Sequence, residues 1–315
     1  MMAVLAAATF SAAGSEAAHA AWPGKNGPIV FAGGTASAGN GLWARKPGWR
    51  GMRHLTRDAS DSEAQTSRDG RWIVFTRTVE EPVPAGTGTF PARHVFVARS
   101  DGSGAAEVTT GPVFDRSPSF TRSGTRILFS RFDPQAGDTD IYGVGRDGGG
   151  LHRLTSGPGD DRNPVFSPNG RIIAFDRFLR GHTRHVYTMR RDGSRVRDAT
   201  PTLAAWSSQA DFSPAGNRIV FVRGFPGTFN ADLFTMRPDG KLRRRLTGRA
   251  NHPVGGFSNP AYSPDGRFVV GEIEQDGQFS KLQVIRVRNR SWGATFGGRR
   301  MARAPDVGDP AWLVR

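Results

Sequence analysis

An all-β fold built from repeated four-stranded units is predicted by three features of the sequence. Close relatives of the stretch NPVFSPNGRIIAFDR, residues 163–177, recur along the chain. The turn glycines of three successive copies, Gly124, Gly170 and Gly216, follow one another at an interval of 46 residues, the difference between their numbers. The 41 glycines and 21 prolines are dispersed along the chain, which favours short strands joined by tight turns. A constant period of this size indicates a repeat architecture.

The first half of each unit is a pair of strands around a tight turn. An apolar strand runs into a Ser-Pro-x-Gly sequence, in which proline fixes φ and glycine accepts a positive φ. The next strand alternates, as in RIIAF (171–175). Segments of this kind occupy 61–77, 115–131, 161–177, 207–223 and 257–273.

The second half of each unit is another pair of strands, joined by an Asp-Gly hairpin. A third strand is predicted at 140–146, 185–191 and 232–238. The hairpin aspartates are Asp101, Asp147, Asp192 and Asp239. The fourth strand ends in a Leu-Thr-like pair, found at 55–56, 108–109, 154–155, 199–200 and 246–247. Four-stranded units of this length are typical of the blades of a β-propeller.

The two ends of the chain complete the ring. Residues 24–33 resemble a second strand without a first, and residues 309–315 resemble a first strand without a second. We therefore predict a six-bladed β-propeller of four-stranded antiparallel blades, closed by a C-terminal strand that joins the N-terminal blade. Such closure leaves no free sheet edge in the ring.

The start of the chain resembles an export signal. Residues 1–20 are rich in alanine and end in Ala18-His19-Ala20, but they have no basic beginning, so the true start is expected upstream. Residues 21–315 are then a single propeller domain, without a transmembrane span. The chain has no cysteine, which excludes disulfides and thiolate metal sites. We expect a monomer in the periplasm or outside the cell.

The formal net charge of +15 raises the question of nucleic-acid binding. Only four of the 43 basic residues are lysines, Lys25, Lys46, Lys241 and Lys281, and the arginines are spread along the chain. No recognisable nucleic-acid module accompanies them. The sequence therefore disfavours nucleic acid as a partner.

The repeat Pro-x-Phe/Tyr-Ser-Pro-x-Gly-Arg-x-Ile-x-Phe, followed by Ile-Tyr, Asp-Gly and Leu-Thr, resembles the TolB-like β-propeller repeats, also described as WD-repeat-like. The resemblance covers residues 24–315 and implies the propeller fold, with periplasmic protein interaction as one family role. Two enzyme families have similar propellers. Prolyl-oligopeptidase-like enzymes need a G-x-S-x-G nucleophile elbow, which is absent here. Oligogalacturonate lyases hold a metal mostly through histidines, and the histidines of this chain do not recur in register.

Strand order predicts two different faces. The Ser-Pro-x-Gly and Asp-Gly turns share one face, called here the turn face. The opposite loop face carries the crossings between blades and the loops between second and third strands. Those loops are predicted to be long and varied, at 79–93, 132–139, 178–184, 224–231 and 274–280. Variable loops on a rigid scaffold are a usual place for binding.

Four arginines occupy one repeat position at the loop-face end of the second strand: Arg77, Arg131, Arg177 and Arg223. They predict an incomplete cationic ring that suits carboxylate or phosphate. The alternative is structural. Asp61, Asp115 and Asp161 begin the first strands on the same face, Arg116 and Arg162 follow two of them, and an Asp–Arg lattice would tie blades together. The lattice is the favoured interpretation. Ser207 interrupts it in the fifth repeat, which leaves Arg223 as the candidate unpaired arginine.

The function predicted from these patterns is that of an exported, non-catalytic binding module for an acidic protein or glycan of the cell envelope. The alternative is a polysaccharide-acting envelope enzyme with a site at the channel mouth. No catalytic residue, cofactor or metal site is predicted, since His182 and His185 alone make a poor ligand set.

Overall fold

The computed structural model describes residues 24–35, 39–45, 52–82, 88–134, 137–157, 159–179, 183–201, 205–225, 230–247, 256–275, 279–287, 292–296 and 308–314. These residues form strands and turns, and none of them belongs to a helix long and apolar enough to cross a membrane. The predicted export signal, residues 1–20, lies outside this range.

The described residues form 24 strands in six four-stranded antiparallel blades, which confirms the predicted fold class. Blade 1 contains β1 Asn26–Thr35, β2 Gly39–Arg45 and β3 Arg53–His54. Blade 2 contains β4 Ser62–Thr66, β5 Trp72–Pro82, β6 Thr89–Arg99 and β7 Ala106–Glu107. Blade 3 contains β8 Phe114–Phe120, β9 Arg126–Asp133, β10 Asp138–Gly145 and β11 His152–Arg153.

The remaining strands follow the same plan. Blade 4 contains β12 Asp160–Phe166, β13 Ile172–Leu179, β14 Thr183–Arg190 and β15 Arg197–Asp198. Blade 5 contains β16 Ser207–Phe212, β17 Ile219–Gly224, β18 Ala231–Met236 and β19 Arg244–Arg245. Blade 6 contains β20 Phe257–Tyr262, β21 Phe268–Gln275, β22 Phe279–Arg286 and β23 Trp292–Phe296, and β24 Gly308–Val314 completes blade 1.

The ring closes as the two ends of the sequence predict. Strand β24 is antiparallel to β1, with Trp312 opposite Ile29 and Ala311 opposite Val30. The first strands of successive blades contact one another around the ring, and β24 contacts both β4 and β20. Blade 1 therefore joins the last strand along the chain to the first.

Phenylalanines at one repeat position fill the space between blades. The residue two positions before the repeated arginine is fully buried in four blades, as Phe75, Phe129, Phe175 and Phe221. Because successive residues of a strand point to opposite faces, the same alternation sets the arginine on the same side of its sheet as this phenylalanine. The Phe-x-Arg ending of the repeat thus combines a core residue with a charged residue of the loop face.

The loops on the loop face are shorter than the sequence predicts, because the flanking strands continue into them. In blade 2, β5 and β6 pair as far as Pro82 opposite Thr89, so most of 79–93 is a hairpin and not a loop. In blade 3, β9 and β10 pair as far as Asp133 opposite Asp138. Antiparallel pairing satisfies backbone groups that an open loop would leave to water.

The Asp-Gly turns connect neighbouring blades as well as strands. Gly193 of blade 4 has a φ of 82°, and a β-carbon there would stand 2.6 Å from the carbonyl oxygen of Leu154 in blade 3. The equivalent glycines of blades 2, 3 and 5 are Gly102, Gly148 and Gly240. A β-carbon on each of them would meet the backbone carbonyl oxygen of Leu55, Val108 and Ala199, respectively. Glycine is therefore required here by the neighbouring blade in addition to the turn.

Candidate functional site

Three of the four repeated arginines hold an aspartate of their own blade by two parallel hydrogen bonds. Arg131 donates from Nε and Nη2 to the two carboxylate oxygens of Asp115, at 2.7 and 2.8 Å. The corresponding distances are 2.7 and 2.8 Å for Arg77 with Asp61 and 2.7 and 2.7 Å for Arg177 with Asp161. Such two-bond pairs are the strongest geometry that arginine makes with a carboxylate.

Strand register and aromatic rings place these pairs. Asp115 lies opposite Arg131 on the adjacent first strand, so the two side chains meet on one face of the sheet. The guanidinium of Arg131 stands 5.2 Å from the ring centre of Phe129 and 5.5 Å from that of Tyr142. The same arrangement places Arg77 over Phe75 and Phe96, and Arg177 over Phe175 and Tyr187. Each arginine is thus held by a carboxylate and by two rings.

The predicted lattice is present in a different form. The Asp–Arg pairs join the first and second strands of one blade, so they do not by themselves tie blades together as expected. The Leu-Thr pair of the preceding blade acts on the same aspartates. The hydroxyl of Thr56 in blade 1 opposes the rise in the pKa of Asp61 in blade 2, and that of Thr109 in blade 2 opposes the rise in the pKa of Asp115 in blade 3.

Burial is the largest effect on two of the three aspartates. It raises the pKa of Asp61 and of Asp115, against the opposing effect of the arginine partner of each. The hydrogen bond to Asp161 raises the pKa of Arg177, and the bond to Asp61 does the same for Arg77. In these three blades the positive charge is matched by a carboxylate, so a continuous ring of available arginines is not formed.

Arg223 of blade 5 differs from the other three. Its neighbours across the two ladders are Ser207 on β16 and Asp232 on β18, and Arg223 makes no ion pair within the described part of the chain because Asp232 pairs with Arg245. The guanidinium stands 5.7 Å from the ring centre of Phe234. Burial, followed by the charge of Arg243, lowers the pKa of Arg223. The hydroxyl of Ser207 is buried and, among the described residues, has no hydrogen-bond partner.

The remaining predicted site residues have separate surroundings. Arg162 donates to Asp160 at 3.0 Å and lies 4.9 Å from the ring centre of Phe178. Arg116 is half-buried, and its backbone carbonyl accepts a hydrogen bond from Ser130. The bond from Arg162 to Asp160 therefore lies within one strand of blade 4.

Sequence reasoning missed a second set of acid–base pairs, between third and fourth strands. Histidine and acid pair in blades 2 and 4, whereas aspartate and arginine pair in blades 3 and 5. The pairs are His94–Glu107, Asp140–Arg153, His185–Asp198 and Asp232–Arg245. In blades 2 and 4 the base is on the third strand and the acid on the fourth, and in blades 3 and 5 the order is reversed. This exchange between aligned repeats is the sequence signal that predicts the pairs. His185 is therefore bonded to Asp198 at 2.7 Å, and its predicted companion His182 lies outside the described residues.

A belt of polar residues on the first strands was also missed. In each of blades 2 to 6, one residue of the first strand has a positive φ of 47 to 55° at a β-bulge; these residues, the central belt, are Glu63, Ser117, Asn163, Gln209 and Asn259. The sequence signal is that this position of the first strand is polar in all five repeats. The left-handed conformation costs non-glycine residues free energy, which the surrounding bonds offset.

Hydrogen bonds link the central belt from blade to blade. Ser117 donates its hydroxyl to Asn163 at 2.6 Å, and Asn163 donates to Asp176 at 2.7 Å. Gln209 donates its backbone N–H to Asp176 at 2.9 Å and its side-chain amide to Asn259 at 2.7 Å. These bonds join four successive blades at the centre of the ring.

Replacing Asn163 tests the central belt. We expect Asn163→Gly to lower the free energy of unfolding by about 2 kcal/mol, because the buried Asp176 loses a donor while φ stays allowed. Asn163→Ala should cost about 1 kcal/mol more, since alanine resists a φ of 55°. Urea denaturation measures both. Equal stability of the two variants would contradict the role of the left-handed conformation.

No metal centre is evident in the part of the chain that the structure describes. Its histidine, aspartate and glutamate side chains form no group of three or more that could hold a metal ion.

Comparison with known proteins agrees with the repeat and the ring. A sequence model described as the TolB beta propeller domain matches residues 93–312. TolB from Acinetobacter baumannii is similar in structure, with a TM-score of 0.71 and 17% identity over 92% of this chain and 67% of that chain. A putative TolB from Agrobacterium tumefaciens has a TM-score of 0.59 and 23% identity over 71% of this chain and 79% of that chain.

Proteins with other roles have the same fold. An oligogalacturonate lyase from Vibrio parahaemolyticus has a TM-score of 0.58 and 13% identity over 88% of this chain and 77% of that chain. At these identities the likeness concerns the fold alone. No curated protein sequence matches the chain.

Proposed function

This chain belongs to the TolB beta propeller domain family, and from that premise we propose that it is an exported, non-catalytic binding module for an acidic protein or glycan surface of the cell envelope. The proposed site is the loop face at blade 5, where Arg223 and Ser207 lie opposite each other. Export is proposed from the alanine-rich residues 1–20, with a periplasmic or secreted location. The fold likeness to lyases transfers no catalytic residue, so no reaction is proposed.

The single observation that carries the proposal is the departure of blade 5 from its own repeat. Three blades place an aspartate opposite the arginine, and blade 5 places Ser207 there. Arg223 is half-buried and makes no ion pair with a carboxylate of the described residues. Removing an unpaired cation from water costs free energy that a bound anion would offset.

The three internal pairs indicate the chemistry that fits this position. Each of them shows a carboxylate receiving two parallel bonds from the same arginine of the repeat, for example Asp161 from Arg177. A carboxylate supplied by a partner would meet Arg223 in that geometry. Glutamate, aspartate and uronate residues carry this group. The expected partner surface is therefore acidic.

Binding by the full chain to matched acidic and neutral ligands tests this proposal. Fluorescence anisotropy would compare hexaglutamate with hexaglutamine, and oligogalacturonate with a neutral oligoglucose, at about 0.15 M salt. We expect selective binding of the acidic ligands by the wild type. Arg223→Met should weaken that binding by about tenfold or more, because one buried charge-assisted pair is lost.

The variant Ser207→Asp is the matched control. It keeps Arg223 and supplies the carboxylate that the other blades have, so we expect it to fold stably and to lose acidic-ligand binding. Unchanged binding by Ser207→Asp, or equal binding of acidic and neutral ligands by the wild type, would contradict the proposal.

A further inference from the structure

A basic cavity of about 640 Å³ opens on the turn face between blades 3 and 4. Its size lies within the usual range of ligand pockets. Its floor is apolar and includes Ile127, Leu128 and Phe166. Its ionisable lining comes from three blades and comprises Arg68, Arg122, Arg126, Arg191 and His152. No aspartate or glutamate of the described residues lines it.

The cavity exists because blade 3 has a glycine where other blades have larger residues. Gly143 precedes the hairpin aspartate by four positions, as Val97, Thr188 and Thr235 do in blades 2, 4 and 5. A β-carbon on Gly143 would stand 2.7 Å from the His152 imidazole. The missing side chain therefore lets the imidazole lie against the sheet and leaves space beside it.

Two of the arginines replace a residue that the repeat uses for folding. Blades 4, 5 and 6 have proline in the Ser-Pro-x-Gly turn, at Pro168, Pro214 and Pro264. Blades 2 and 3 have Arg68 and Arg122 at that position. The turn is unchanged, because the glycine that follows has a φ of 65° and 68° in blades 2 and 3 and of 68 to 69° in the others. These arginines are not needed for the turn, which favours another role.

The guanidinium groups have few internal partners. Arg126 donates to the carbonyl of Gly150 at 3.0 Å and lies 2.9 Å from Nδ1 of His152. Arg122 reaches the carbonyl of Asn169 only at 3.5 Å. None of the four arginines that line the cavity has an ion pair among the described residues. By contrast, the cavity between blades 4 and 5 contains Asp239, which pairs with Arg237 at 3.1 Å.

We infer that this cavity binds a phosphate-bearing ligand, with its phosphate at Arg68, Arg122 and Arg126 and its ester portion on the apolar floor. Arginine donates paired hydrogen bonds to phosphate oxygens, and several guanidinium groups suit an anion with more than one negative charge. The site lies on the face opposite Arg223, so it neither requires nor excludes the acidic-surface function proposed above.

Calorimetric titration of the full chain tests this inference. The probes are pyrophosphate and glycerol 3-phosphate, with citrate and sulfate as anions that lack phosphorus. We expect the phosphate compounds to bind more tightly than citrate and sulfate. The variant Arg68→Pro/Arg122→Pro should fold, since proline occupies the same turn position in three blades, and should bind phosphate about tenfold or more weakly.

The matched control is Arg218→Gln/Arg267→Gln, which removes the same charge from the turn side of blades 5 and 6. We expect it to bind phosphate as the wild type does. Equal weakening in both double variants would show attraction by net charge alone and would overturn the site. Tighter binding of citrate or sulfate than of phosphate would also overturn it, as would absence of phosphate binding by the wild type.

A vesicle arm distinguishes a soluble phosphate ester from a lipid headgroup. Co-sedimentation would compare vesicles of phosphatidate mixed with phosphatidylcholine against vesicles of phosphatidylcholine alone. Sedimentation that depends on phosphatidate and is lost in Arg68→Pro/Arg122→Pro would assign a headgroup. Binding of glycerol 3-phosphate without such sedimentation would assign a soluble ester.

Discussion

Replacing Arg131 by methionine is expected to lower the free energy of unfolding by about 3–5 kcal/mol near neutral pH, because it leaves a buried carboxylate without its cation. Asp115 is fully buried and receives both of its short bonds from Arg131. Methionine retains much of the apolar stem that packs on Phe129 and Tyr142, so the loss reports mainly on the charge pair. Urea denaturation followed by tryptophan fluorescence measures it.

The loss of unfolding free energy caused by Arg131→Met should become smaller as the pH is lowered. Burial already raises the pKa of Asp115, and Arg131 opposes that rise. Without Arg131 the pKa of Asp115 rises further. A carboxyl whose pKa is higher in the folded than in the unfolded protein destabilises the fold above that pKa, and the penalty disappears as the pH falls through it. The difference in the free energy of unfolding between Arg131→Met and the wild type is thus largest near neutral pH.

Arg223→Met is the control for this prediction. Arg223 makes no ion pair among the described residues, and burial lowers its pKa. A base with a lowered pKa is less stable in its charged form when folded, so its removal should leave the free energy of unfolding unchanged or raise it. Equal losses in Arg131→Met and Arg223→Met would contradict the assignment of Arg131 as a structural pair.

Gly193→Ala is expected to lower the free energy of unfolding by about 2–4 kcal/mol, from a strained φ and from overpacking between blades. The added β-carbon would meet the carbonyl of Leu154, which is backbone and cannot rotate away. Either the turn or the neighbouring blade must therefore shift. Thermal and urea denaturation of the purified variant measure the change.

Gly104→Ala separates the two causes. Gly104 has a similar positive φ of 65°, but a β-carbon there would meet nothing within 4 Å. Its substitution should cost only about 1 kcal/mol, from the backbone conformation. The difference between the two variants reports the contact between blades, and equal losses would exclude that contact as a source of stability.

The fold was predictable because its signals are local and repeated. The period of the turn glycines, exemplified by Gly170, and the strand halves at the two ends determine the blade number and the closure. The extent of the strands was less predictable. Residues 79–93 contain prolines and glycines typical of a loop, yet β5 and β6 pair through much of the segment. Pairing partners across a hairpin are not visible in local composition.

The candidate site was predictable only where it follows the repeat. The alignment of Asp115 with Arg131 and the exception at Arg223 follow from the spacing of the repeats. Whether an aspartate bonds its own blade or the next depends on register and side-chain direction, which the pattern does not contain. The cavity beside Gly143 arises because glycine has no side chain. A search for motifs looks for functional side chains, so it does not detect a residue that leaves space.

The pairing of β24 with β1 has a consequence for the order of folding. Blades 2 to 6 each form from one continuous stretch of chain, whereas blade 1 needs strands from both ends of the described sequence. Loop closure over so long a distance is entropically costly and gives contacts of high sequence separation, which form slowly. We therefore expect blade 1 to be the last blade to assemble. Until then β1 presents an unpaired edge, so the open ring is the state most exposed to aggregation.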